Sequence, residues 1–176
     1  FCNVPRHEFV PEEHRDAAYS DNPIPIGYGQ TISQPYVVAL MIQEVGVNPD
    51  DVVLDIGSGS GYSSAILSHL ADEVYGIERI EPLAIRSEDT LNSLGYDNVE
   101  IKCGDGFKGW PEKAPFDVIM IGAAPESIPA ELKNQMAEGG RFIGPIGGFD
   151  QRLMILRKKD GNIEEEEGTM VRFVPM

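Results

Sequence analysis

The sequence predicts an α/β fold: a doubly wound, mostly parallel sheet with an N-terminal cap and a C-terminal antiparallel hairpin. Three observations carry that expectation. From residue 37 onward, segments of helical period alternate with short β-branched runs. The first such run, Val52-Val53-Leu54-Asp55-Ile56, passes straight into Gly57-Ser58-Gly59-Ser60-Gly61. Glycines in a strand-to-helix turn let the backbone approach a ligand closely. Near the end of the chain, two extended runs flank Asp160-Gly161-Asn162, which reads as a hairpin.

Taken in order, residues 1–33 are rich in Pro, Asp, Glu and Gly with little periodicity, and predict an extended cap rather than a regular layer. Val37, Leu40, Met41 and Val45 follow helical spacing, and Gly46 with Pro49 stops that helix. The run at 52–56 is apolar on both faces, as in a parallel strand covered from both sides. A helix carrying Ile66, Leu67 and Leu70 follows, then a strand at 74–77, a helix carrying Ala84, Leu91 and Leu94, and a strand at 99–103. This is a βαβαβ half. The second half begins with a strand at 116–121 and a helix carrying Ile128, Leu132 and Met136. A strand at 141–146 and a hairpin pairing 152–157 with 163–174 complete it. The acidic run Glu164-Glu165-Glu166-Glu167 reads as a solvated edge. All 176 residues are expected in one domain, 1–33 as cap and 34–176 as core.

Fourteen basic against twenty-nine acidic residues give a net charge of -15. Such a chain is repelled by phosphate backbones, so nucleic acid is not an expected partner. Cys2 and Cys103 offer neither a disulfide framework nor zinc spacing. No metal is expected, the setting is expected to be reducing and cytoplasmic, and Cys103 is expected as a small core residue. No apolar run is long enough for a membrane span. The chain starts at Phe1 rather than Met, which suggests that something upstream has been removed.

The glycine loop can be read more closely. A dinucleotide fingerprint needs a glycine at 62, where Tyr62 stands. The G-x-G-x-G form after an acidic Asp55 suits a ligand with an amino-acid end and a ribose. Glu78 ends the next strand, where a carboxylate can accept from ribose hydroxyls. Asp105, in Gly104-Asp105-Gly106, ends the third strand, where it can accept from an adenine amine. Three carboxylates at adjacent strand ends are expected to line one crevice, and together they point to S-adenosylmethionine, whose cationic groups suit a negative site. A purely structural turn, with Glu78 paired to Arg79, is the bland alternative.

Several further motifs resemble one family. The stretch Ala18-Tyr19-Ser20-Asp21-Asn22-Pro23-Ile24-Pro25-Ile26-Gly27-Tyr28-Gly29-Gln30-Thr31-Ile32-Ser33-Gln34-Pro35 is similar to the signature of protein-L-isoaspartate O-methyltransferases. So are Val4-Pro5-Arg6, Gly109-Trp110-Pro111 and Phe173-Val174-Pro175-Met176. The resemblance covers essentially the whole chain. It implies a Rossmann-like methyltransferase sheet, S-adenosyl-L-methionine as methyl donor, and methylation of the free carboxylate of L-isoaspartyl residues in damaged proteins, which starts their repair through a succinimide. It places the active-site serine on Ser33, and cofactor contacts on Gln30, Thr31, Ile32, Ser33, Asp55, Gly57, Ser58, Gly59, Gly61, Glu78, Arg79, Asp105 and Gly106. The family usually begins with a further helix before its "VPR" segment, which is missing here.

The mechanism so implied needs no general base, because a carboxylate is already ionised at neutral pH. Ser33 is expected both to orient that carboxylate and to cap the helix that starts near Pro35. An extended substrate peptide is expected to pair with backbone around Ile26, Gly27 and Gly29, and the protein is expected to act as a monomer, with isoaspartyl proteins and peptides as its partners. The rival readings are a nicotinamide dehydrogenase, which Tyr62 opposes, a methyltransferase of another carboxylate or small molecule, and an idle cofactor- or peptide-binding module.

Overall fold

The computed structural model describes residues 2–176. Its centre is a seven-stranded sheet in the order β5-β4-β3-β6-β7-β8-β9. The strands are β3 (Val52–Ile56), β4 (Glu73–Glu78), β5 (Val99–Cys103), β6 (Phe116–Ile121), β7 (Met136–Ile146), β8 (Gln151–Lys159) and β9 (Asn162–Val171). The first five run parallel, and β8 and β9 add antiparallel to one edge. From β3 the chain winds outward through β4 and β5, then returns to lay β6 on the other side of β3. That reversal opens a crevice at the carboxyl ends of β3 and β6.

Alternating side chains divide the core between the two faces. Val53, Val118 and Met120 join one apolar cluster, covered by α1 (Pro35–Val45), α2 (Tyr62–Leu67), α3 (Glu81–Ser93) and residues of the cap. Leu54, Ile56, Ile119 and Ile121 point to the other, which Trp110, Phe116, Leu132 and Phe142 complete. Both faces of β3 and β6 are therefore covered, as their apolar runs, each interrupted by a single aspartate, lead one to expect. Among the described residues no helix is long and apolar enough to cross a membrane.

The expected elements form, with differences that have physical causes. The helix expected to carry Ile128, Leu132 and Met136 shrinks to α4 (Ala130–Asn134), and Met136 opens β7. Phe116 pairs with Met136, and the Phe116 N–H donates to the Gln135 carbonyl at 2.8 Å, so the sheet takes the residues that would have continued the helix. Leu70 lies beyond α2 and is exposed. Cys103 is exposed rather than buried, because β5 is an edge strand. The acidic run lies on β9, the opposite edge, in solvent; charged edges resist pairing with another chain.

The cap is more regular than its composition suggests. Two 3-10 helices, Arg6–Phe9 and Glu12–Ala17, precede a hairpin of β1 (Ile24–Gly27) and β2 (Gln30–Ile32). Gly27, Tyr28 and Gly29 form its turn with φ of 94°, 54° and 73°, a left-handed sequence that glycine adopts without strain. Ser33 does not cap α1. The helix starts at Pro35 with Gln34 before it, and the Asp21 carboxylate accepts instead from the Tyr36 N–H and from Gln34 Nε2, both at 2.9 Å.

Candidate active site

The glycine loop is locked to the strand beside it. The N–H groups of Gly57 and Ser58 both donate to the Ile77 carbonyl, at 2.8 and 3.1 Å. Gly57 is left-handed, and a Cβ there would lie 3.3 Å from the Ala123 side chain, so the loop packs against the turn after β6 as only glycine allows. Glu78 is buried at the end of β4, where Oε2 accepts from the Gly59 N–H at 3.0 Å and Oε1 from the Ile80 N–H at 2.8 Å. Each oxygen keeps a lone pair for a further donor.

Asp55 takes a different place from the one expected. It is fully buried beneath the loop, and its Oδ2 accepts from Ser63 Oγ at 2.6 Å and Ser64 Oγ at 2.7 Å. Burial pushes its pKa up, partly countered by the two serine hydroxyls. Asp105 is exposed, and its Oδ1 accepts from the Phe107 N–H at 3.0 Å, turning the chain so that Gly106 rather than Asp105 faces the crevice. The three-carboxylate wall is thus corrected. Glu78 stands on it, Asp55 supports the loop from below, and Asp105 flanks it.

Three cavities with shared walls follow. The first is lined by Gln30, Thr31, Gly57, Gly59, Glu78, Arg79 and Gly106, all expected from the sequence. Ile56, Ile77, Ala123, Pro175 and Met176 also line it and were not expected. The second holds Ile32, Ser33 and Ser58 with Val38, Met41 and Met120. The third, about 800 Å³ to its open mouth, runs from Thr31 and Ser33 past Gln34 and Val37 between Pro23 and residues 170–174. Thr31 borders all three, and Ser33 and Gly122 border the second and third.

Not every expected residue reaches these spaces. Gly61 shapes the start of α2, where a Cβ would lie 3.0 Å from Leu91. Ile26 is fully buried, approaches the Cβ position of Gly59 to 3.3 Å, and gives its carbonyl to Arg86 Nη2 at 2.7 Å. It pins the hairpin to the loop rather than facing a substrate. Gly27 and Gly29 form the exposed turn and line none of the three cavities.

Pro175 and Met176 reach the first cavity because the final segment is tied across the sheet. The Ala124 N–H donates to the Val174 carbonyl at 2.8 Å, and the Met176 N–H to the Ala124 carbonyl at 3.1 Å. Gln151 clamps Phe173 through both its carbonyl and its N–H. The motif at 173–176 was visible as a family match, but nothing in spacing assigns it a wall of the pocket.

The family model described as protein-L-isoaspartate(D-aspartate) O-methyltransferase (PCMT) matches residues 1–176. The chain belongs to this family. It is 51% identical over 174 residues to a protein-L-isoaspartate O-methyltransferase of Opitutus terrae, covering 98% of this chain and 75% of that one. It is 49% identical over 181 residues to its namesake from Synechococcus, covering 98% and 74%. A solved protein-L-isoaspartate O-methyltransferase superposes with TM-score 0.90 at 30% identity over 98% of this chain, which spans 58% of that longer one. The Plasmodium falciparum structure of a putative family member in complex with S-adenosyl-L-homocysteine superposes with TM-score 0.87 at 28% identity, covering 99% and 86%. These likenesses bear out the expected family and fold.

Proposed function

We propose that this chain transfers a methyl group from S-adenosyl-L-methionine to the free carboxylate of L-isoaspartyl residues in proteins and peptides. The observation that carries it is a run of three hollows with shared walls: one bounded by the glycine loop and Glu78 borders Thr31, which together with Ser33 also borders an open cleft. The membership of the family and the complex of its Plasmodium member with S-adenosyl-L-homocysteine support the donor.

The first two cavities fit that donor chemically. A Cβ on Gly106 would lie 2.4 Å from Ile56 and 2.7 Å from Met176, so only glycine lets these two apolar walls of the first cavity close on the chain there. Beside it, Glu78 offers oriented lone pairs to ribose hydroxyls. In the second cavity Ser58 Oγ is buried without a protein partner, a group that a polar ligand end would satisfy. Bound there, the donor supplies an electrophilic methyl carbon on a sulfonium.

The protein's own part is positioning. The acceptor carboxylate is ionised above its pKa near 4, so no base is needed. His7 is engaged with Tyr19 and Glu8 on the cap surface, and none of the three histidines lines a cavity. Ser33 stands at the mouth between inner and outer spaces. Its carbonyl is held by Arg6 at 2.9 Å, and its hydroxyl makes no hydrogen bond among the described residues. We assign that hydroxyl to orienting the carboxylate. Ile32, Val38, Met41 and Met120 give the inner space an apolar side opposite its serines, and shielding from water there favours the neutralisation of an anion by a sulfonium. Alignment of oxygen, carbon and sulfur can supply on the order of 7 to 11 kcal/mol.

The test is transfer of labelled methyl to an isoaspartyl peptide beside its aspartyl twin. Base-labile label on the isoaspartyl peptide alone is expected; equal labelling of both, or of neither, would reject the reading.

A further inference from the structure

Among the described residues Arg6 is the only lysine or arginine with its side chain sealed from solvent, at 1% exposure. Among the described residues no carboxylate lies within ion-pair distance of its guanidinium. It is surrounded by carbonyls instead. Nη1 donates to Ala18 and, at 3.3 Å, to Ser20; Nη2 donates to Asn22 at 3.2 Å and to Ser33 at 2.9 Å. The cation also lies 5.3 Å from the centre of the Tyr62 ring, the first residue of α2. Burying a charge without a counter-ion is unfavourable unless its donors are well satisfied. Four carbonyls, three from the stretch 18–22 and one from Ser33, meet that need for Nη1 and Nη2 in one fixed arrangement, while Nε is buried without a partner among the described residues.

The bridge made by Nη2 has a geometric consequence. Asn22 leads directly into Pro23, and Pro23 and Ser33 both line the outer cleft. Tyr62 lines the inner cavity. One planar fork therefore ties a cleft wall, the serine and the start of the cofactor-side helix together. A lysine ammonium is a point charge on a flexible stem and has no such fork.

We propose that Arg6 is a positioning residue for methyl transfer: acting through the carbonyls of Asn22 and Ser33 and the ring of Tyr62, it holds the cleft at the spacing that aims a bound carboxylate at the methyl carbon. It touches no reacting atom, and the inference rests on the reading of the cleft given above. A residue that only fastened the cap to the core would affect stability and leave the catalytic constants of the folded enzyme alone.

The experiment compares Arg6→Lys and Arg6→Ala with the wild type. It reads Tm, the Kd for S-adenosylhomocysteine, and kcat and KM for an isoaspartyl peptide, the last two with and without a low, non-denaturing concentration of guanidinium. For Arg6→Lys the expected result is a Kd within about threefold of wild type and a kcat/KM lower by roughly 10²-fold, the scale on which a misplacement of about 1 Å acts. Guanidinium should restore part of the activity of Arg6→Ala alone, entering by the hollow that Cys2, Tyr19 and Tyr62 line next to Arg6. If Arg6→Ala does not fold, Arg6→Lys decides by itself. Wild-type kcat and KM in Arg6→Lys would overturn the proposal, and so would an Arg6→Lys protein that loses cofactor binding in step with turnover or fails to fold. An inactive wild type would sink the functional reading and this inference with it, whereas an active wild type with an unaltered lysine variant sinks this inference only.

Discussion

The glycine loop and the substrate cleft share Thr31 and Ser33's neighbourhood, yet they are held by bonds of different range. On the cofactor side the ties run within one βαβ unit: the loop to Ile77, Glu78 to Gly59 and Ile80, Asp55 to Ser63 and Ser64. On the substrate side each tie joins distant segments: Arg6 to Ser33, Asp21 to Tyr36, Gln151 to Phe173, Ala124 to Val174. The difference teaches that the glycine loop and Glu78 can take their places as soon as three consecutive elements pack, although Gln30, Thr31, Pro175 and Met176 close that cavity only later. The substrate side exists only once cap, core and final segment have closed on one another. Perturbing one half should therefore leave the other largely intact.

Four changes would break or sharpen that contrast. Ser33→Ala should lower kcat by no more than roughly 10²- to 10³-fold, the range for losing one such donor, with the Kd for S-adenosylhomocysteine unchanged; a wild-type kcat would leave the serine only its backbone role. Gly106→Val should do the reverse. Its side chain would meet Ile56 and Met176 at less than contact distance, so calorimetry should show cofactor affinity falling by about 10²-fold, or ~2.7 kcal/mol, while the circular dichroism of the fold persists.

Gly29→Val is a sharper test of where the peptide goes. The sequence suggested that Gly29 gives the peptide access, but it sits in an exposed left-handed turn with open space around its Cβ position. We expect an unchanged peptide KM and a loss of stability of about 1–2 kcal/mol from the left-handed backbone, read as a lower urea midpoint. A raised KM would return the hairpin turn to the cleft.

The smallest effect concerns Asp55. Its folded pKa is raised, chiefly by burial, so the native state keeps a proton that the unfolded chain has already released. Its contribution to stability therefore falls as pH rises from the unfolded value near 4 toward the folded one, and is constant above it. Asp55→Asn should remove this dependence. Urea unfolding across mildly acidic pH should show wild-type stability declining relative to the variant as pH rises; a flat difference would mean that the two serines compensate fully.

How much of this was legible in the sequence follows the same division. Val52–Ile56 with its glycines, Glu78 at a strand end and Gly106 beyond the next strand declare themselves by period and spacing, because parallel strands place successive carboxyl ends side by side. Asp55 and Asp105 were found but misplaced. Alternation along a strand running into a tight loop does not say whether a carboxylate near its end turns toward the ligand or beneath the loop. Pro175 and Met176 showed only as part of a family motif and Ala123 not at all, being apolar residues whose role depends on which strand they cross.

The sequence by itself determined the layered α/β architecture, the switch point where a ligand enters and the family, since each rests on local periodicity or on contiguous motifs. Tertiary structure alone decided that Asp21 caps α1 in place of Ser33, that the last residues wall the first cavity, and that Arg6 reaches Ser33 from 27 positions away. The physical reason is range. Hydrogen bonds that close a turn or order a strand act between near neighbours and leave a pattern in the chain, whereas a buried guanidinium chooses its carbonyls only after folding has brought them within about 3 Å.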